Sequence, residues 1–452
     1  MLVEKPGFSA GGNARVFSRG PRARSWVLAG VAAVPVLLIA LQVFAALRGF
    51  EGPLESLWHD YVSTPKSMSV PWAGLILAVV GISWRRRVLA VGAAVAIDLV
   101  WVAIRLSSGA SFAVGNGPVI VLTVLGVVAL VRWQGVERRD ALHAVALGAL
   151  LILATKVSDV WLHITVLAGP SVFDEYLMLA DHALGDPSWV LGRVLDALGP
   201  GVYAVLHWVY IELPVAAIVV AVWQLRRVVS SRRWPSHYLV RTFLVLGLLG
   251  PVVYLIFPVV GPMFAFGPDG HGLQLGNYWP GVVAPIDHNP MPLAFDTETP
   301  RNCMPSMHTA WALSVFLHTR RDTDGTRAPR LLRWIGTFWL LATLAATLGF
   351  GYHYGVDLVA GAVLCLTVES ALREPERGWG LFRVRLVGLG LGLLAALLLT
   401  YRYLAVWMAE YPVPFGTLVL AGLAAYAVAF HATWFAENRE SVGARTEPEF
   451  SV

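Results

Sequence analysis

Runs of about 20 apolar residues recur along the whole chain, and that repetition decides what it can fold into. Roughly 20 apolar residues in a helix span the ~30 Å hydrocarbon core of a bilayer. The runs fall near 26–48, 70–84, 88–104, 117–132, 141–165, 199–224, 239–260, 304–319, 332–350, 355–371, 386–405 and 415–435. They predict an all-α polytopic membrane protein with about twelve transmembrane helices. Of 452 residues, 57% are hydrophobic and only 14% charged, with a mean hydropathy of +0.64; a soluble domain carries roughly 25% charged residues. The net charge of +5 is not gathered into a basic stripe with interleaved aromatics, so no nucleic-acid partner is expected.

The distribution of charge predicts an orientation. Arg85–Arg87, Arg132 with Arg138 and Arg139, Arg226/Arg227 with Arg232/Arg233, Arg320 through Arg333, and Arg373 through Arg385 occupy every second loop. They share a side with the basic N-terminal residues Arg15, Arg19, Arg22 and Arg24, which the positive-inside rule puts in the cytoplasm. The alternate loops carry acids instead, among them Glu51, Glu55, Asp60, Asp174, Glu175, Asp181, Asp287 and Asp296. Twelve crossings place both termini in the cytoplasm of a cell membrane. The run from Trp26 to Leu47 is too long for a signal-peptide core and reads as the first helix. Lysine is confined to Lys5, Lys66 and Lys156 while arginine is abundant, as in products of GC-rich bacterial genomes. The last fifteen or so residues are polar and read as disordered. Two cysteines, Cys303 and Cys365, form no metal-binding spacing.

Two segments carry chemistry. Arg301-Asn302-Cys303-Met304-Pro305-Ser306-Met307-His308 closes a long outer loop and opens a helix. Proline suits a helix start, and the N–H groups and dipole there favour an anion such as phosphate. Ser306 and Arg301 are candidate additional donors, and arginine fits phosphate oxygens bidentately. The second segment is Gly349-Phe350-Gly351-Tyr352-His353-Tyr354-Gly355-Val356-Asp357. On a helix, His353 and Asp357 share a face. A carboxylate so placed holds one imidazole nitrogen and leaves the other free as a nucleophile. Two histidines at helix starts on one predicted side suit attack and leaving-group protonation at one phosphorus atom.

These residues resemble the type 2 phosphatidic acid phosphatase superfamily, whose signatures include P-S-x-H (Pro305 to His308) and H-x-x-x-D (His353 to Asp357). The match is closer to its inositol phosphorylceramide synthase branch, which shows H-Y-x-x-D and a proline-rich helix end, here Phe257 to Pro262. The resemblance covers roughly residues 140–372. It implies that His353 attacks phosphorus to give a phosphohistidine, that Asp357 orients it, and that His308 protonates the leaving oxygen and then activates the acceptor. It also implies that neither metal nor cofactor is needed. Two phosphatase features are missing: the K-x6-R-P motif, and a Ser-Arg pair whose place is taken by Ala346-Thr347. Sphingolipid-type synthases lack that arginine too. Arg301, Ser306, Lys156 and Tyr354 are then the candidate substrate-binding residues.

Bland readings stand beside these. Either histidine motif alone describes polar caps at helix ends; the two together, 45 positions apart in order, favour chemistry. Lys156 and Asp159 are one turn apart and can pair with each other, as can Asp98 and Arg105. Glu212 and His207 are ionisable at membrane depth, where such groups mark sites by default. Cys303 reads as packing near the pocket, and tryptophans such as Trp72, Trp101, Trp234 and Trp279 as interfacial belts. The expected organisation is accessory helices in 1–135, a catalytic core in 136–372, and membrane helices with a polar tail in 373–452. The expected activity is transfer of a phosphoryl group from a phospholipid or polyprenyl phosphate, at the outer face, to an alcohol or water. The alternatives are a polyprenyl or phosphatidate phosphatase and, from another class, a transporter or scaffold with vestigial histidines.

Overall fold

The computed structural model describes residues 21–268, 277–285 and 288–435, with side chains from Ala33 onward. Arg15, Arg19, Asp287, the polar chain after Phe435 and the side chains of Arg22 and Arg24 therefore lie outside what is described. The first half of the chain forms α1 (Pro21–Arg48), α2 (Pro53–Val62), α3 (Ser69–Ala78), α4 (Trp84–Ser107), α5 (Asn116–Val131) and α6 (Gly135–Ala168). Two short loop helices follow, α7 (Asp174–His182) and α8 (Pro187–Leu198), then α9 (Pro200–Ile211), α10 (Leu213–Leu225) and α11 (Leu239–Ile256). The chain ends with α12 (Met307–His318), α13 (Arg330–Gly349), α14 (Gly355–Leu372), α15 (Leu381–Tyr403) and α16 (Pro412–Trp434). Among the described residues, the strands are Ser171–Val172 and Leu293–Ala294, paired antiparallel. The fold is an all-α, multi-pass membrane protein.

Every segment expected to be helical is helical, but not every one is long enough to span. Among the described residues, α4, α6, α10 with its extension to Ser231, α11, α13, α14, α15 and α16 are long and apolar enough, eight in all. A bent pair, Ala33–Arg48 of α1 with Pro53–Val62, at 96°, makes a ninth if taken as one span. The 12 residues of α12 rise only ~18 Å at 1.5 Å each. The helix expected over 199–224 is two helices, because Pro214 has no N–H and its ring excludes the carbonyl four residues back; the chain breaks at Glu212. Among the described residues, helix lengths therefore give eight or nine full crossings rather than twelve.

Packing separates a peripheral block from a central one. Leu75, Ile82, Leu122, Leu125 and Ile152 fill the first core. Its helices α3 and α6 touch backbone to backbone: a Cβ on Gly148 would lie 2.2 Å from the Gly74 carbonyl oxygen. Small residues at such a crossing are what close helix packing in a bilayer requires. The long α6 also packs on α11, joining the two blocks. In the second block α14 is the hub: 83% of its apolar window is buried, against 11% for α4. Val359, Val363 and Leu366 of α14 share a core with Met307 and Ala310 of α12 and with Leu394 and Tyr401 of α15.

The arginine-rich loops meet at one end of this bundle. Arg86 pairs with Glu137, Arg232 lies 3.8 Å from Asp140, Arg226 pairs with Asp322, and Arg227 lies 3.2 Å from Asp324. Glu369 joins Arg373 at 2.9 Å and His237 at 3.1 Å there. The loops that carry the histidine motifs gather at the other end.

Candidate active site

The start of α14 is held by carboxylates. Asp357 Oδ2 accepts the Tyr354 N–H at 2.7 Å, and Asp181 Oδ1 accepts the Val356 N–H at 3.0 Å. Both satisfy N–H groups that a helix start leaves without intrahelical partners, and both complement the dipole. Asp357 Oδ2 also receives the Cys303 thiol at 2.7 Å and lies 3.5 Å from His353 Nδ1. Cys303 Sγ is itself 3.4 Å from that nitrogen. The expected His353–Asp357 contact is thus present, but long for a hydrogen bond, because two other donors already occupy the oxygen. Asp357 Oδ1 is buried without a hydrogen-bond partner among the described residues. Since Nδ1 faces this cluster, Nε2 is the ring nitrogen left for chemistry.

The start of α12 meets α14 backbone to backbone. The Ser306 N–H donates to the Asp357 carbonyl at 3.1 Å, and a Cβ on Gly361 would lie 2.3 Å from the Ser306 carbonyl oxygen. Ser306 caps α12, accepting the Thr309 N–H at 3.3 Å. This contact sets His308 in the first turn, where its ring stacks on Tyr210 with centroids 3.8 Å apart. His308 and His353 line one cavity of about 400 Å³, together with Tyr210, Tyr254, Asn302 and Tyr352. No lysine or arginine is among the described residues lining it.

The remaining candidates are elsewhere. Arg301 is fully buried, and its guanidinium is spent on the carbonyls of Gly169, Thr299 and Asp296. It ties the loop after α6 to the loop before α12 rather than facing the cavity. Lys156 pairs with Asp60, its Nζ 2.7 Å from Oδ2. Asp159 instead lies 3.5 Å from Lys66, so the one-turn pair does not form. Asp98 takes the Trp72, Gly115 and Gly117 N–H groups, and Arg105 donates to Ala113, Ser63 and Asn116, so these two do not pair either. Tyr354 is buried with its hydroxyl on Asp174 at 2.9 Å. His207 stacks on Tyr203, and Glu212 sits at the break between α9 and α10.

Residues that the sequence presents only as loop acids hold the site together. Asp174 accepts the Val260 and Gly261 N–H groups at 3.1 and 2.9 Å besides the Tyr354 hydroxyl. It fastens the proline-rich end of α11 to the histidine loop. Burial pushes its carboxyl up to about 6, against the opposing pull of those donors. Burial likewise raises Asp181, while the Val356 amide opposes it. Cys303 is raised by burial and then by the Asp357 and Asp174 charges, so it stays a thiol. Only Cys303's place in sequence, next to the motif, hinted at its position. The donor atoms of Cys303, His353 and Asp357 lie within 4.8 Å of one another, as do those of His237, His318 and Glu369 at the far end, spacings that a metal ion could bridge.

Membrane-spanning helices and the family match of residues 175–370 support a membrane protein of the phosphatase or phosphotransferase class. Residues 175–370 match the PAP2 superfamily, and this segment belongs to that type 2 phosphatidic acid phosphatase superfamily. Residues 24–164 match a domain of unknown function, DUF5933. No curated protein and no solved structure matches the chain.

Proposed function

We propose that the protein is a lipid phosphotransferase of the inositol phosphorylceramide synthase-like kind, with His353 as nucleophile, Asp357 as its orienting carboxylate and His308 as proton donor. The observation that carries the reading is one cavity lined by both histidines and, among the described residues, by no lysine or arginine. His353 Nε2 attacks phosphorus, the P–O bond to the leaving alcohol breaks, and a proton held on His308 goes to that oxygen. An acceptor hydroxyl then gives its proton to His308 and attacks the phosphohistidine, freeing His353. A phosphate monoester carries about −1.5 to −2 charges near neutrality, and burying it without Arg or Lys is costly. A phosphodiester carries one charge, which histidine, tyrosine and amide donors can meet. The favoured donor is therefore a phosphodiester phospholipid rather than a monoester such as phosphatidate or a polyprenyl phosphate.

The positive-inside rule puts the arginine-rich end in the cytoplasm and the cavity at the outer face of the cell membrane. Phe435, at the end of α16, is bonded through its carbonyl to Arg321. At the end of α1, Glu51 pairs with Lys66 at 2.7 Å, and Lys66 faces Asp159 beside Pro300 and Glu298. Both observations support cytoplasmic termini. The division into accessory helices (1–135), core (136–372) and C-terminal helices (373–452) belongs to the same reading.

The test is purified protein in detergent with labelled phosphatidylinositol, phosphatidate and polyprenyl pyrophosphate, each with and without candidate alcohols, beside His353→Ala. A new His353-dependent phosphodiester supports transfer, and its mass names the acceptor. Free phosphate from the monoesters, with water as acceptor, would replace transferase by phosphatase.

A further inference from the structure

At the opposite end of α12 from the active site lies a second cavity, about 1190 Å³, larger than the ~300–1,000 Å³ usual for small-molecule pockets. Its walls are apolar, with Leu366 of α14 and Phe430 of α16 among them, and its rim carries Arg320, Arg321, Arg327 and Arg333. A small hairpin presents two of these, since Arg321 and Arg327 form an antiparallel bridge. No acid is among the described residues that line it. The acids of that hairpin are turned elsewhere: Asp322 pairs with Arg226, and Asp324 with Arg227.

None of these arginines faces a carboxylate among the described residues, and Arg321 gives one N–H to the Phe435 carbonyl. Arg320 donates to the Phe316 and Arg333 carbonyls. Burial lowers its affinity for its proton, and the neighbouring Arg333 charge lowers it further. Arg333 Nε is buried with no hydrogen-bond partner among the described residues. Four positive groups around the mouth of an apolar cavity want a ligand with a negative head and a hydrocarbon body. A free anion leaves the apolar walls unfilled, and a neutral lipid leaves the charges unmet. Basic pockets between membrane helices on the cytoplasmic side are suited to anionic lipid heads.

We propose that this cavity is a binding site for an anionic phospholipid, separate from the active site, with the phosphate on Arg321, Arg327 and Arg333 and an acyl chain between α12, α14 and α16. It is independent of the catalytic reading.

The experiment uses the full-length protein in neutral phosphatidylcholine nanodiscs, titrated with phosphatidylglycerol, and reads bound lipid by native mass spectrometry and Tm. Phosphatidylglycerol is expected to bind and raise Tm at levels where added phosphatidylcholine does neither. The Arg321→Gln/Arg327→Gln variant should weaken that binding roughly thirtyfold, the scale of two arginines' attraction to anionic lipid, and Arg321→Lys/Arg327→Lys should largely restore it. Should the double glutamine variant fail to fold, Arg327→Gln alone, at an exposed position, carries the test. Equal shifts with phosphatidylcholine or unchanged binding by the variants overturn the proposal. Equal shifts with inorganic phosphate would make this a simple anion site, and an absence of any bound lipid would leave the cavity to solvent or to chain beyond Phe435; either result also overturns it.

Discussion

Asp357 Oδ2 is shared by the Tyr354 amide, the Cys303 thiol and, at longer range, His353. The carboxylate therefore builds the helix start and, on the proposed mechanism, also orients the ring, so its substitution should show both effects. His353→Ala is expected to lower turnover on the order of 10⁴-fold or more while the protein stays folded, since on the proposed mechanism it removes the nucleophile. Asp357→Asn should cost less, on the order of 10²-fold, with a measurable fall in Tm because the Tyr354 amide loses a charged acceptor. Full-rate turnover by purified His353→Ala would remove the mechanism altogether. Cys303 separates a covalent role from a packing one. Its thiol competes for the oxygen that His353 needs, so Cys303→Ala should keep activity within about tenfold of wild type. Steady-state rates on the donor named by the first assay decide, and loss as deep as that of His353→Ala would make Cys303 a reactant. Both histidines and Asp357 were legible because their spacing places them at helix starts. The thiol between them was not, since nothing in sequence says how far a loop side chain reaches.

The elements explain which other residues matter. The cavity exists because α12 and α14 touch through Gly361 and the Ser306 carbonyl, and because Asp174 clamps Val260, Gly261 and Tyr354. Neither contact follows from periodicity; each joins segments far apart in sequence. A Cβ at Gly361 would press on backbone, which cannot turn aside as a side chain can. Gly361→Ala is therefore expected to cost about 1–3 kcal/mol of stability and to lower turnover too, by shifting His308 against His353. A thermal-unfolding scan beside the activity assay checks it; unchanged Tm and rate would mean that the two helices are not in this contact. Asp174→Asn would turn one amide hydrogen toward another in place of an acceptor. A cost of about 1.5–3 kcal/mol follows from losing hydrogen bonds to a charged group, with KM raised as the Val260 wall loosens. The element boundaries show the same division between local and distant causes. Helix positions were legible from apolar runs, and Pro214 could have announced the break at Glu212. Arg301 offered a donor set suited to phosphate, but the carbonyls that take it belong to turns no local pattern reveals.

Across the whole molecule, charge organises the fold along its length: the arginine-rich loops and their acid partners at one end, the buried Asp174, Asp181 and Asp357 around the histidine motifs at the other. That polarity was readable from sequence because basic loops alternate with acidic ones. The pairings were not, and Lys156 is the clearest case. Its neighbour Asp159 stands one turn away, yet its partner Asp60 is 96 positions distant on α2. The pair is almost fully buried, with side chains 6% and 1% exposed, and it joins α2 to α6, the helix that both blocks share. A buried ion pair contributes modestly when intact, but losing one partner strands a charge at a cost of about 3–5 kcal/mol. Lys156→Met alone should therefore lower the stability of the N-terminal helices sharply. Asp60→Asn in the same chain should recover most of the loss, because no unpaired charge then remains. If Lys156 instead contacted substrate, the double variant would regain stability but not turnover. Thermal unfolding and turnover measured on the two single variants and the double one separate these outcomes. Recovery of both quantities in the double variant is the result expected of a structural pair outside the cavity.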